Sequence, residues 1–451
     1  MKTFRPYQPD QLLLLPPNLN EWLPEDHLAA FVSEAVEQFD LKEIYKTYER
    51  GGAGGQPPYD PRMMVKILLY GYCTGCYSSR KIERATWEDV GFRVLAANQH
   101  PDHDSIADFR KRHLQALTGL FLQVLKLAQK AGLVRMGHVA LDSTLVRANA
   151  SKHKAMSYER MVETEARLKR EIEELFKRAE ETDNAEDRKY GKGKRGDEWP
   201  EELKRRETRL EKIRKAMKEL EEEARQQAEE ESKTRTQTEK TRKRKKGPAA
   251  KKVAATPDPK AQKNFTDADS RIMRDGNSKS FEQSYKAQAV VDSESQIIVA
   301  AAVTQENNDK KQLVPMLKKT RENTKKSPKK LSADAGYFSE ESVTDKSIGK
   351  TELYIPPRKE KHGEVLPSIK GRPPKDMTAA ERMQRKLRTQ GGRSVYKQRK
   401  AIVEPVFGQI KERRRFRMFS FRGLERVEAE WNLVCTAHNL MKLYRSGCQL
   451  S

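Results

Sequence analysis

The sequence predicts an α/β sheet layered with helices, preceded by a helical N-terminal region and interrupted by a charged helical insertion. Three observations carry this reading. Residues 1–130 show apolar positions mostly at helical spacing. Short apolar runs rich in Val, Leu and Ala recur at 137–148, in YKAQAVVD, in QIIVAAAVT and in KKLSADAG, and such runs read as buried strands. Between them, residues 155–245 are nearly all Glu, Lys, Arg, Gln and Ala.

The elements follow in order. DHLAAFVSEAVEQF has helical periodicity, with Asp26 as its expected N-cap. RGGAGGQPPYDP is a loop, and Pro61 opens an apolar helix, DPRMMVKILLYGYCTG. Two or three further helices follow, and one of them, HDSIADFRKRH, has the short, charged face of a DNA-contacting helix that presents Arg110 and Lys111. Residues 137–148 form the first strand. RMVETEARLKREIEELFKRAEE and PEELKRRETRLEKIRKAMKELEEEARQQAEEE read as an antiparallel, coiled-coil-like hairpin turned at GKGKRGDEWP. Leu203, Leu210, Ile213, Met217 and Leu220 form its seam. A basic linker, TRKRKKGPAAKK, leads back to the sheet. YKAQAVVD and QIIVAAAVT form a hairpin across SES, a helix follows over NDKKQLVPMLKKTREN despite Pro315, and TELYIPP adds a short strand. Residues 357–395 read as a basic, Pro- and Gly-rich loop, and LERVEAEWNLVCTAHNLMKLY closes the chain as an amphipathic helix. The expected divisions are 1–130, a helical DNA-binding region; 137–154, the first part of the core; 155–262, the insertion and linker; and 263–451, the rest of the core.

Of 451 residues, 36% are hydrophobic and 35% charged, so the packed core is concentrated in part of the chain. A net charge of +24 implies a polyanionic partner, nucleic acid ahead of an acidic membrane surface. No apolar run reaches the roughly 20 residues that span a bilayer. The four-Leu run near the start is cut by Pro16 and Pro17, which is unlike a signal peptide. Four cysteines cannot staple a chain of this size, and a reduced cytoplasmic protein is expected.

Three carboxylates stand out. Asp142 and Asp334 end apolar runs, and Glu404 lies in a helix-like segment crowded with Lys397, Lys400, Lys411, Arg413, Arg414, Arg415 and Arg417. An Asp at a strand end is by itself commonly a turn or cap residue; the weight lies in the joint occurrence. A DNA phosphodiester resists attack because negative charge builds on an already anionic centre. Two divalent ions can clamp the attacking and leaving oxygens, and magnesium, which keeps several waters, needs only two or three carboxylates. Crowded acids repel, so without metal at least one is expected to have a raised pKa. Pro405 constrains Glu404: either the helix begins at Pro405 with Glu404 as N-cap, or it kinks there. The arginines that follow suit phosphate contact. Asp292 ends a strand in the same way, and a plain hairpin explains it. Cys73 and Cys76 lack a second pair at zinc spacing. His100, His103 and His113 read as surface or DNA-contacting residues, and Trp431 as core.

At ALDST (Asp142), AVVDSESQIIVAAAVTQENNDKKQLVPML, ADAGYF (Asp334), EPVFGQIKERRRFRMFSFRG (Glu404) and EWNLVCTAHNLMKL, the chain resembles bacterial insertion-sequence transposases of the DDE type. Those with an InsH-like N-terminal domain are the nearest group. The resemblance implies a ribonuclease H-like catalytic core, with Asp142, Asp334 and Glu404 as metal-binding acids for two Mg2+ ions, which Mn2+ can replace. Relatives show Tyr, Arg, Glu and Lys with two, three and six residues between them. Tyr396 and Arg399 have two between, and Glu404 and Lys411 have six, but four residues separate Arg399 from Glu404. The implied partners are double-stranded DNA, both terminal inverted repeats and target, and further copies of the chain in a dimer or larger synaptic complex, with no membrane. The implied location is the bacterial cytoplasm, at the nucleoid. A nuclease without strand transfer, or a non-catalytic DNA-binding derivative, would share much of this sequence.

Overall fold

The computed structural model describes residues 18–49, 57–190, 201–241, 256–276, 279–359, 367–369, 371, 374 and 376–449. The expected hairpin turn at 191–200 and nearly all of the basic linker lie outside these residues.

Seven helices come first: α1 (Leu28–Glu37), α2 (Lys42–Glu49), α3 (Pro61–Thr74), α4 (Ser79–Glu88), α5 (Val90–Leu95), α6 (His103–Arg112) and α7 (Leu114–Lys130). Asp60 caps α3 by accepting from the amides of Arg62 and Met63, with Pro61 in the first turn. Gly75 ends the helix at φ 87°, where a Cβ would meet the Arg414 carbonyl at 2.8 Å, so only glycine fits. The cap of α1 is His27, whose Nδ1 accepts from Ala29 N, and not Asp26 as expected.

Strand β1 (His138–Arg147) is followed by β2 (Ala155–Ser157), α8 (Tyr158–Tyr190), α9 (Glu201–Thr241), β3 (Gln262–Asn264), β4 (Arg271–Arg274), β5 (Phe281–Asp292), β6 (Ile298–Thr304), α10 (Leu313–Thr324), β7 (Lys330–Ala333), α11 (Glu340–Thr344), β8 (Glu352–Tyr354), α12 (Ala379–Arg388), α13 (Gln390–Gly408) and α14 (Leu424–Arg445). The main sheet runs β4-β5-β1-β7-β8, and β6 also pairs with β5. β1 is antiparallel to β5 and parallel to β7, and β8 continues parallel to β7. Helices cover this mixed sheet, as a ribonuclease H-like core requires. Asp292 is buried and accepts from Met136 N at 2.8 Å and Glu294 N at 3.1 Å, so its work is to tie the entry of β1 to the β5–β6 turn.

The N-terminal helices share one hydrophobic core with the sheet. α14 lies against α7 and α3 on one side and β6 on the other. It is therefore buried around most of its circumference, where an amphipathic helix was expected. Trp431 is fully buried and donates to the Gln288 carbonyl, and Asn439 bonds both the amide and the carbonyl of Ile298, at 2.8 Å each.

Arg110 departs from expectation. It is buried on α6, donates to the Tyr77 carbonyl at 2.8 Å, lies over the Phe421 ring and is linked through Tyr72 to the fully buried Glu430 of α14. It fastens the N-terminal helices to α14. His113 is likewise buried, beside Tyr48.

The insertion is a helical hairpin with a small core of its own. Met161, Leu168 and Ile172 of α8 meet Leu210, Ile213, Ala216 and Leu220 of α9, with Met217 partly buried. Arg206–Glu171 and Arg214–Glu165 run antiparallel across it. Its stem is the β2–β3 pair, and nearby Lys263 lies buried between Glu219 (3.0 Å) and Glu223 (2.6 Å). The two helices carry 23 acidic and 20 basic residues, so the +24 excess resides elsewhere. Because the hairpin core is separate, deleting residues 160–240 is expected to leave cooperative thermal unfolding of the remainder. A deletant without a cooperative transition would show that the hairpin belongs to the main core.

Residues 357–395 hold more structure than the expected loop. Thr378 and Glu381 form a reciprocal capping box that starts α12, and α13 follows at once.

Candidate active site

The parallel register of β1 and β7 brings the first two acids together. His138 to Leu141 pair with Lys330 to Ala333. Asp142, midway along β1, and Asp334, the residue after β7, follow directly in this register, at the point where the parallel β1–β7 pairing ends and β1 continues alone beside β5. Asp334 turns away from the strand line as the cap of a short 3-10 turn and accepts from Gly336 N at 2.9 Å.

Asp142 is largely enclosed. Its Oδ2 receives Arg399 Nη1 at 2.6 Å and its Oδ1 the amide of Ser143 at 2.8 Å. Burial pushes its pKa up to about 6; the Arg399 charge and the Ser143 amide oppose this, and the negative charge of Asp334 adds to it. The expected rise is present, but desolvation, ahead of the second acid, is its main cause. Arg399 is itself buried, with its guanidinium 5.9 Å from the Tyr396 ring, and its Nε has no hydrogen-bond partner. Two residues along β1, Lys411 donates to Thr144 Oγ1 at 3.2 Å and to the Leu145 carbonyl at 3.0 Å, and burial lowers its pKa.

Glu404 is exposed on α13. With about 100° per residue, the four residues between Arg399 and Glu404 turn Glu404 some 140° away from the Arg399 side of the helix, where the usual three would leave about 40°. Val403, fully buried, holds that nearer position. Among the described residues, no three of His, Cys, Asp and Glu are grouped so as to hold a metal ion. The structure thus brings Asp142 and Asp334 together, with Arg399 between charge and solvent, and leaves Glu404 outside. α13 neither starts nor ends at Pro405. The Ala401 carbonyl, which Pro405 cannot serve, accepts from Gln296 Nε2 at 3.0 Å, and the helix widens into a π-type turn at Gln409–Arg413.

The expected DNA-contacting residues divide by burial. Lys400, Arg413, Arg415, Arg417 and Lys111 are exposed, and Arg417 is paired with Glu412. Arg414 is buried, bonded to His438 Nδ1 at 3.1 Å and to the Gln409 carbonyl at 3.3 Å. Here it ties the end of the π-type turn to α14. Cys73 and Cys76 are free thiols with pKa values pushed up by burial. His103 pairs with Glu83, and His100 stacks on Trp87.

One acid escaped the sequence reading. Asp309, buried in the loop before α10, accepts from Lys286 Nζ at 2.7 Å, Gln288 Nε2 at 2.6 Å and Ser143 Oγ at 3.3 Å. In the run NND it reads as a helix-cap residue, and its partners come from strands distant in sequence.

Residues 17–112 match a family model described as a transposase domain (DUF772), and residues 255–440 match one described as a transposase DDE domain. The second span contains Asp334, Arg399, Glu404 and Lys411; Asp142 precedes it, on the far side of the helical insertion. No curated protein and no solved structure matches the chain.

Proposed function

Because the chain belongs to the insertion-sequence transposases of the DDE type, we propose that it binds the terminal inverted repeats of its own element. It cleaves the element ends there and joins the freed 3′-hydroxyls to target DNA. Two element ends must be held at once, so the working form is a dimer or larger synaptic complex. The observation that carries this reading is the parallel register that brings two carboxylates to the same level, where the β1–β7 pairing ends, one of them largely buried against a guanidinium.

The residues fit divalent cations. Asp142 is desolvated, feels the charge of Asp334 and is balanced by a cation, here Arg399. The two acids would hold Mg2+ or Mn2+, with Glu404, carried on the same helix as Arg399, as the third acid. Such ions, when bound, activate water or a 3′-hydroxyl and clamp the reacting oxygens of the phosphodiester. Arg399 keeps Asp142 neutralised in the metal-free protein and passes to a DNA phosphate when the carboxylate is needed. Lys411, half-buried beside β1, and the exposed Lys400, Arg413 and Arg415 hold the strand near the acids, and Tyr396 supports Arg399. Lys111 of α6 contacts DNA from the N-terminal region.

A proton and a cation compete for Asp142. At limiting magnesium, single-turnover cleavage is expected to rise with pH through about 6 and then level off. Arg399→Gln removes the charge that opposes the raised pKa and shifts the rise to higher pH. A rate independent of pH across that range would contradict this role for Asp142. The reading as a whole is tested with labelled end DNA, with and without magnesium. Metal-dependent nicking followed by joining supports it; nicking without joining would reduce the protein to a nuclease, and binding alone to a DNA-binding derivative.

A further inference from the structure

We propose that Asp309 is a positioning residue of this site, a buried anion that locks the segment bearing Asp142 to the segment bearing Asp334. The inference rests on reading those two acids as metal ligands.

The connections run both ways from one carboxylate. Toward the first acid, Asp309 Oδ2 receives the hydroxyl of Ser143, the residue after Asp142. Side chains alternate along a strand, so Asp142 meets Arg399 on one face of β1 while Ser143 meets Asp309 on the other. Toward the second acid, Asp309 Oδ1 receives Gln288 Nε2 at 2.6 Å, and Gln288 Oε1 accepts from the hydroxyl of Tyr337, three residues past Asp334. Gln288 and Tyr337 are fully buried. Burial, with the negative charges of Asp309, Asp142 and Asp334 around it, raises the Tyr337 pKa, so the phenol stays a donor. Between the two arms the fit is close. The Cβ position of Gly336 is 3.7 Å from Asp309 Oδ2, ordinary contact distance, so the Asp334 turn packs against Asp309.

Lys286 completes the lock. Its ammonium lies 2.7 Å from Asp309 Oδ2, with both side chains largely buried. The pair cancels a third negative charge that would otherwise add to the repulsion between Asp142 and Asp334. A committed ion pair with three donors on one carboxylate also has little capacity left to ligate a cation, which makes Asp309 a positioning group and not a ligand.

The test is Mn2+ binding to the full-length protein, read by electron paramagnetic resonance, alongside thermal unfolding. Removal of groups that orient metal ligands costs about ten- to a hundredfold in metal affinity, and Asp309→Ala is expected to weaken Mn2+ binding by at least about tenfold. Asp309→Asn combined with Lys286→Met rebuilds a neutral lock, because the amide can accept from Gln288 and donate to Ser143, whose hydroxyl reverses. This double variant is expected to bind Mn2+ nearly as well as wild type. If Asp309→Ala does not fold, Tyr337→Phe cuts the same lock from the Asp334 side and is expected to weaken Mn2+ binding while still unfolding cooperatively, at a stability cost of about 1–3 kcal/mol. Wild-type affinity in Asp309→Ala, or in Tyr337→Phe, would overturn the proposal, as would a double variant as weak as Asp309→Ala, which would make Asp309 a ligand. Asp142→Asn is the control on the underlying reading. If it too binds Mn2+ like wild type, the site itself is misassigned and the role of Asp309 falls with it.

Discussion

Asp142→Asn, Asp334→Asn and Glu404→Gln are each expected to abolish magnesium-dependent cleavage of element-end DNA while leaving the binding of that DNA intact. Metal ions contribute several kcal/mol to the stabilisation of such a transition state, and each 1.4 kcal/mol or so is tenfold in rate. Loss of one ligand should therefore cost on the order of a thousandfold. The three variants differ in what else they disturb. Asp142→Asn leaves the buried Arg399 without its counter-charge, so its fold must be checked by thermal unfolding. Asp334→Asn keeps a side-chain oxygen that can still cap the 3-10 turn through Gly336 N. Glu404→Gln touches an exposed side chain and should leave stability unchanged, so a lost reaction there can only be chemical. Wild-type cleavage by Glu404→Gln would remove Glu404 from the site.

The largest effect on stability is expected at Arg110. Glu430 is fully buried, and burial raises its pKa against the field of Arg110 and the amides of Ser420 and Phe421. Truncating Arg110 to Ala leaves that carboxylate without its cation, opens space under Phe421 and removes the donor to the Tyr77 carbonyl. Arg110 reaches Glu430 through the Tyr72 hydroxyl and not by direct contact, and each buried polar partner left unsatisfied costs about 1–3 kcal/mol. The expected result is a clear fall in the thermal midpoint, partly restored when Glu430→Gln is added, because the remaining group is then neutral. A loss within about 0.5 kcal/mol, as for an ordinary surface substitution, would mean that Arg110 is exposed in solution and free to meet DNA.

Much of the architecture was legible because apolar runs and strand burial coincide. Val139, Ala140 and Leu141 are fully buried in β1, and β5, β6 and β7 follow their apolar stretches. The short strands β2, β3 and β4 lack such runs and pair only because of the hairpin stem and the edge of β5. The start of α12 was written in Thr378 and Glu381 but hidden in a stretch dominated by Pro, Gly and Lys. Charge type did not reveal burial: Arg413, Arg415 and Arg417 face outward while Arg110, Arg399 and Arg414 serve buried partners. The π-type turn after Gly408 changes which side of the chain each arginine takes, and no local pattern announces it. Asp309 was invisible for a different reason, since its meaning comes from Ser143, Lys286 and Gln288 meeting in space. Asp142 and Asp334 were legible as candidates, and the register that joins them needed the sheet.

The decisive residue is Glu404. Manganese anomalous diffraction from crystals of the protein bound to its element-end DNA would decide it directly. Peaks between Asp142 and Asp334, with Glu404 turned in to ligate and Arg399 moved to a phosphate, are the predicted result. Manganese absent from that pair of acids, with Glu404 still on the outer side of α13, would contradict it.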